Sequence, residues 1–125
     1  MAYSSISHGW LAGEFRKLDD LPQDDYRRML PRFKPEVFDQ SLKLVETVEQ
    51  IAKRKDLTMA QVALIWVARQ GVIPILGSPK LERVIQICSS ASLTDEDMAE
   101  LQKVHETLPI AGERYIGAGE DLSNA

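Results

Sequence analysis

Lys80 and Arg83 stand three residues apart, just after the run G-V-I-P-I-L-G-S-P at positions 71–79. That spacing lets two cations converge on one phosphate. Val72 to Leu76 is a short apolar run with a β-branched bias, the length of a buried strand. Gly77 and Ser78 turn the chain, and Pro79 suits the first turn of a helix because its missing N–H costs nothing there. Leu81, Val84, Ile85 and Cys88 then recur at helical spacing. A strand, a Gly-Ser turn and a helix start aim free backbone N–H groups and the positive end of the helix dipole at one spot, which is an anion site. The plainer alternative is a βα turn carrying two solvated basic residues. A second basic stretch, Tyr26 to Phe33 (Y-R-R-M-L-P-R-F), lies between prolines and follows the acidic Asp19–Asp25 turn. It reads as a surface loop whose arginines balance the aspartates.

The elements that must hold these residues follow from periodicity. Ala2 to Ser7 reads as a short strand entering a hydroxyl-rich loop. Pro35 to Lys55 is a helix, with Pro35 and Glu36 in its first turn and an apolar stripe of Phe38, Leu42, Val45, Val48, Ile51 and Ala52. Thr58-Met59-Ala60-Gln61 has the form of a capping box for a second helix reaching Gln70, apolar on most sides and expected to be deeply buried. Thr94 caps a last helix to about Thr107, with Met98, Leu101, Val104 and Leu108 as its stripe. Residues 1–108 form one domain and 109–125 a loosely held tail. Two short strands separated by helices should be parallel, and two parallel strands alone do not make a stable sheet. The chain therefore reads as part of a larger α/β architecture.

Composition sets wider bounds. With 125 residues, 44% apolar content and a net charge of −4, the chain is a small globular domain. It has no basic stripe for nucleic acid or a membrane surface. The lone Cys88 and the absence of a long apolar run or a signal-like start point to a reduced, cytoplasmic setting. No metal-ligand spacing is present.

Five segments in order carry a family resemblance. Ala2-Tyr3-Ser4-Ser5-Ile6-Ser7-His8-Gly9-Trp10-Leu11-Ala12-Gly13 resembles the A-Y-S-P-L-G-x-G-x-L-T-G segment of the aldo-keto reductases. Asp24 to Phe33 is similar to the D-F-R-R-x-L-P-R-F loop of one branch, Thr58 to Arg69 to T-P-A-Q-L-A-L-A-W-V-L, Val72 to Ser78 to V-I-P-I-P-G-T, and Ala111 to Tyr115 to A-G-D-R-Y. The resemblance implies an α/β fold, the last two βα units of a (β/α)8 barrel, helix-rich, in a family that reduces aldehydes and ketones with NADPH. It implies that Tyr3 stacks on the nicotinamide and that Ser4, Ser5, Ile6 and Gly9 line the pyrophosphate. Gly77, Ser78, Lys80 and Arg83 would hold the 2′-phosphate, with Gln86 standing near the family's adenine-binding Asn. The tetrad of Asp, Tyr, Lys and His belongs to the first half of the barrel and has no second copy here.

Carbonyl reduction needs an acid on the oxygen. Tyr26 and His8 are the candidates the chain offers, whereas His105, beside Glu106, reads as a helix-surface residue. The expectation is a truncated NADP-dependent aldo-keto reductase that acts on a small-molecule substrate. The alternatives are a repurposed isomerase, lyase or cyclase without nicotinamide chemistry, or a non-catalytic partner protein. Uncovered apolar faces on the strands and near Trp66 predict a homo-oligomer.

Overall fold

The computed structural model describes residues 1–75 and 80–108. Gly77, Ser78 and the 109–125 tail lie outside that range. Among the described residues four α-helices follow a loop-rich N-terminal third: α1 Pro35–Lys55, α2 Met59–Arg69, α3 Leu81–Cys88 and α4 Asp95–Thr107. The N-terminal third is built from short 3-10 turns at Ser7–Ala12, Leu18–Asp20, Tyr26–Met29 and Pro31–Phe33.

Helix α1 is the spine. Phe38, Val45, Val48, Ile51 and Ala52 are buried along one stripe, with Leu42 half-buried beside them, as the periodicity requires. Burying each large side chain contributes roughly 1.5–3 kcal/mol, which makes this face the main source of cohesion. One half of the stripe meets Trp10, Phe15, Leu21, Leu30 and Phe33; the other meets Val62, Leu93 and Leu101. Trp10 stacks on Phe38 with ring centroids 4.8 Å apart.

The capping boxes form as spaced. Gln61 N–H donates to Thr58 Oγ1 at 3.2 Å and Thr58 N–H to Gln61 Oε1 at 2.8 Å. Thr94 and Asp97 repeat the arrangement on α4. Asp97, 3% exposed as a side chain, also meets Arg54 at 2.7 Å and Lys55 at 3.0 Å, joining the end of α1 to the start of α4.

Two expectations, on the strands and on α2, need correction. Among the described residues the two strands reduce to one parallel bridge between Ala2 and Pro74, with Ala2 N–H donating to Ile73 O at 2.8 Å and Ile75 N–H to Ala2 O at 2.7 Å. The direction is the parallel one, but two lone segments without flanking strands have nothing to extend against. Only the first half of α2 is buried, at Gln61, Val62, Ala63 and Leu64, while Trp66 and Val67 are half-buried and Ala68 is exposed. Helix α3 buries no residue; Val84 and Ile87 turn partly inward and Leu81, Ile85 and Cys88 face out.

Candidate functional site

The parallel Ala2–Pro74 bridge sends both segments in the same direction, and Arg83 near the start of α3 reaches Glu14 beside the turn after Ala2 at 2.7 Å. The turn after Ala2 is tightly wound. Ser4, Ser7 and His8 all have positive φ, near 50°, and Gly9 lies at 93°. Positive φ is uncommon for residues with a side chain, so this loop is held against its local preference by what surrounds it. Ser5 Oγ donates to Ala2 O at 3.0 Å, and Leu11 N–H to Ile6 O at 3.2 Å. Ser4, Ser5, Ile6 and Tyr3 are half-buried along it.

Glu14 closes the loop. Its N–H donates to Gly9 O at 3.2 Å, and its side chain folds back so that the carboxylate rests on Gly9, where any Cβ would collide with it. The φ is what favours glycine there, since the Glu14 side chain could swing aside. The same carboxylate meets Arg83 Nη1 at 2.7 Å and lies 3.8 Å from Arg27 Nη1. The chain's own carboxylate thus already lies beside Gly9 and between two guanidiniums, while the Gly9 N–H donates to Ile6 O at 3.1 Å.

Arg83, one of the two cations expected to hold a phosphate, therefore does reach the N-terminal turn. Lys80 is exposed as the residue preceding α3, which begins at Leu81; Pro79, expected in the first turn, lies outside the described residues. Gln86 is exposed on α3, and its carbonyl accepts from Gln61 Nε2 at 2.8 Å. That contact, with a second from Gln61 Nε2 to Ser89 Oγ at 2.9 Å, pins α3 to the start of α2. A capping residue doing this double work was not legible from spacing.

The structure also joins the two acid candidates. Tyr26 Oη lies 3.1 Å from His8 Nδ1, and the rings meet edge-on. Arg27 Nη1 donates to His8 O at 2.9 Å, fixing the histidine's backbone. Arg27 is itself locked by Asp25 at 2.7 Å, and its hydrogen bonds to that carboxyl hold Asp25 well below the usual carboxylate range, at about 2. The guanidinium also lies 5.0 Å from the centre of the Phe15 ring. Arg28 donates to the carbonyls of Leu18, Leu21 and Pro22. Charge balance with the aspartates is thus half the role of this loop: Arg27 pairs with Asp25, while Arg28 draws together three carbonyls, of which those of Leu18 and Pro22 also accept from the N–H groups of Leu21 and Asp25.

His105 is not a surface residue. It is half-buried with its ring edge-on to Trp66, centroids 5.5 Å apart. Among the described residues no cluster of metal-ligating side chains occurs, and no helix is long and apolar enough to cross a membrane.

Residues 1–106 match the model of the Aldo/keto reductase family. An aldo-keto reductase of Gibberella moniliformis is 37% identical over 119 residues, covering 92% of this chain and 36% of that protein. The aldo-keto reductase yakc [NADP(+)] of Schizosaccharomyces pombe is 30% identical over 98% of this chain and 37% of its own length. The aldo-keto reductase str7 of Strobilurus tenacellus is 33% identical, with coverages of 98% and 38%. The chain spans little more than a third of the length of these relatives.

Proposed function

The chain belongs to the aldo/keto reductase family, and from that premise we propose that it carries the phosphate-binding portion of an NADP-dependent carbonyl reductase. The Glu14–Arg83 contact beside the parallel bridge supports this reading most directly, because it brings Arg83 to the turn that follows Ala2. Phosphate sites of (β/α)8 barrels lie at the C-terminal face near the seventh and eighth strands, and the reading assigns Ala2 and Pro74 to those strands. A relative named for NADP(+) agrees with it.

The site suits an anionic cofactor. The left-handed turn at Gly9 is one glycine adopts without strain, and the Glu14 carboxylate beside it, between Arg83 and Arg27, stands in for the ligand's negative charge. In this reading Gly9 and the 4–6 segment take the pyrophosphate, Arg83 and Lys80 the 2′-phosphate, and Tyr3 packs beside the nicotinamide. When bound, the cofactor supplies a hydride to a carbonyl carbon. This chain's contribution is to orient and bind; the tetrad that supplies the proton is assigned to barrel segments outside it. The purified chain should then bind NADPH, and Lys80→Ala should weaken NADPH far more than NADH, since only the former has the 2′-phosphate. Equal losses would remove Lys80 from that role. Simple aldehydes should not be turned over.

A second reading, a repurposed isomerase, lyase or cyclase without nicotinamide chemistry, is favoured by the Tyr26–His8 contact. A phenol and an imidazole in hydrogen-bond reach form a pair through which a proton can pass. Turnover of a carbonyl compound without NADPH, lost in both Tyr26→Phe and His8→Ala, would establish it. We also propose that the chain is cytoplasmic and self-associates.

A further inference from the structure

Glu14 stands between two guanidiniums and holds them unequally. Its Oε1 accepts from Arg83 Nη1 at 2.7 Å. Its Oε2 lies 3.8 Å from Arg27 Nη1, within reach of charge attraction but too far for a hydrogen bond. Arg27 is not the partner free to close that gap. Its Nε and Nη2 fork onto the Asp25 carboxylate at 3.0 and 2.7 Å, and its guanidinium lies over the Phe15 ring. Its Nη1 donates to His8 O at 2.9 Å, and a guanidinium nitrogen in that position carries a second hydrogen. Asp25 thus occupies one edge of the guanidinium, and the Nη1 end serves His8 O and faces Glu14. Glu14 is the mobile member, its side chain a third exposed and that of Arg83 half exposed.

We propose that Glu14 is a two-position carboxylate, on Arg83 while the anion site is empty and on Arg27 once a phosphate takes Arg83. This rests on the reading that Arg83 receives a phosphate. A carboxylate displaced by a phosphate stands beside a second anion, and the two repel. Arg27 Nη1 offers it a new seat after a shift of ~1 Å, the difference between its present separation and a charge-assisted hydrogen bond. The guanidinium it joins also fixes the backbone of His8, held at a φ of 55°, and His8 Nδ1 lies 3.1 Å from Tyr26 Oη. Occupancy of the phosphate site is thereby passed through Glu14 and Arg27 to the Tyr26–His8 pair.

Adenosine 2′-monophosphate, with adenosine as its control, tests this on the full 15N-labelled chain through the arginine Nε–H resonances. The phosphate should move Arg83 and Arg27 together, and the His8 backbone amide with them; adenosine should move none of these. In Glu14→Gln the Arg83 resonance should still respond, while the response at Arg27 and His8 is lost. An Arg27 response that persists in Glu14→Gln would show that the ligand acts on Arg27 directly, and would overturn the relay. Movement of Arg83 with Arg27 unmoved in the wild type would overturn it too, leaving the phosphate reading intact and needing no variant to fold. An unmoved Arg83 would remove the phosphate reading and the relay together.

Discussion

Glu14 Oε1 and Arg83 Nη1 lie 2.7 Å apart although 69 residues separate them in sequence. The contact ties the N-terminal turn to α3, yet both side chains are a third to a half exposed, so it stabilises the fold by about 0–1 kcal/mol at most. Its larger consequence is competition. A phosphate reaching Arg83 must first displace a carboxylate.

Glu14→Gln should therefore strengthen NADPH binding, by roughly fivefold if the full value of an exposed pair is recovered. The gain should shrink as salt rises, because the competing pair is itself screened. Fluorescence titration of NADPH against the two proteins at low and high salt measures it. Identical affinities would show that the carboxylate leaves Gly9 at no cost, or that the phosphate sits elsewhere.

Much of the scaffold was legible because it depends on local signals. The stripe of α1 and the capping boxes at Thr58 and Thr94 follow from spacing within a few residues, and the parallel sense of Ala2 and Pro74 from the helices that lie between them. The site was less so. Lys80 and Arg83 could be paired by spacing, but nothing local says that Glu14 reaches Arg83, or that Tyr26 reaches His8 across 18 residues. Helix α3 shows the same limit: Leu81, Ile85 and Cys88 have helical spacing, as read, but spacing alone does not say that they face out.

Gln61 is expected to govern α3 more than its own helix. It is 6% exposed, and its amide caps α2 through Thr58 while holding Gln86 O and Ser89 Oγ. Gln61→Leu fills the space but leaves the Gln86 carbonyl to Ser89 alone, whose Oγ and N–H still donate to it, so the loss is that of an ordinary hydrogen bond, about 0.5–1.5 kcal/mol. Hydrogen exchange should accelerate across residues 81–88 while the buried stripe of α1 stays protected. Uniform acceleration would mean that α3 does not open separately.

Acid should destabilise the chain through three carboxylates. Burial pushes the Asp97 carboxyl up, but Arg54, the Thr94 N–H and Lys55 outweigh it and hold the group far below its usual range. Arg16 and then Lys53 hold Glu49 at about 2, and Arg27 does the same for Asp25. Each folded value lies below the unfolded one, so the stabilisation is complete above the unfolded pKa, about 4, and is lost as pH falls through the folded values. Urea unfolding should give a flat stability from pH 7 to 5 and a steady decline below 4. Asp97→Asn should lower stability at pH 7 by about 1–2 kcal/mol, since Arg54 is half exposed and the cap is partly kept. It should also flatten the acid decline; an unchanged slope would show that Asp97 does not contribute to it.

Self-association should run through the outer face of α3 and the bridge segment. Leu81 is 73% exposed and Ile85 62%, one helical turn apart, and Ile73 and Ile75 are exposed beside the Ala2 bridge. The bridge leaves Pro74 facing its free edge without an N–H to donate, so adding a strand there is disfavoured and side-chain burial must drive the contact. Four such aliphatic residues buried at roughly 1.5–3 kcal/mol each are enough to set against the entropy of association. A two-fold dimer is the simplest closed arrangement. Light scattering at micromolar concentration should report a dimer or larger species, and Leu81→Lys with Ile85→Lys should return it to monomer. Because α3 buries no residue of its own, that double variant should keep the helical circular-dichroism signal of the wild type. A wild-type chain that is monomeric at that concentration and melts cooperatively would show that these side chains are tolerated in water.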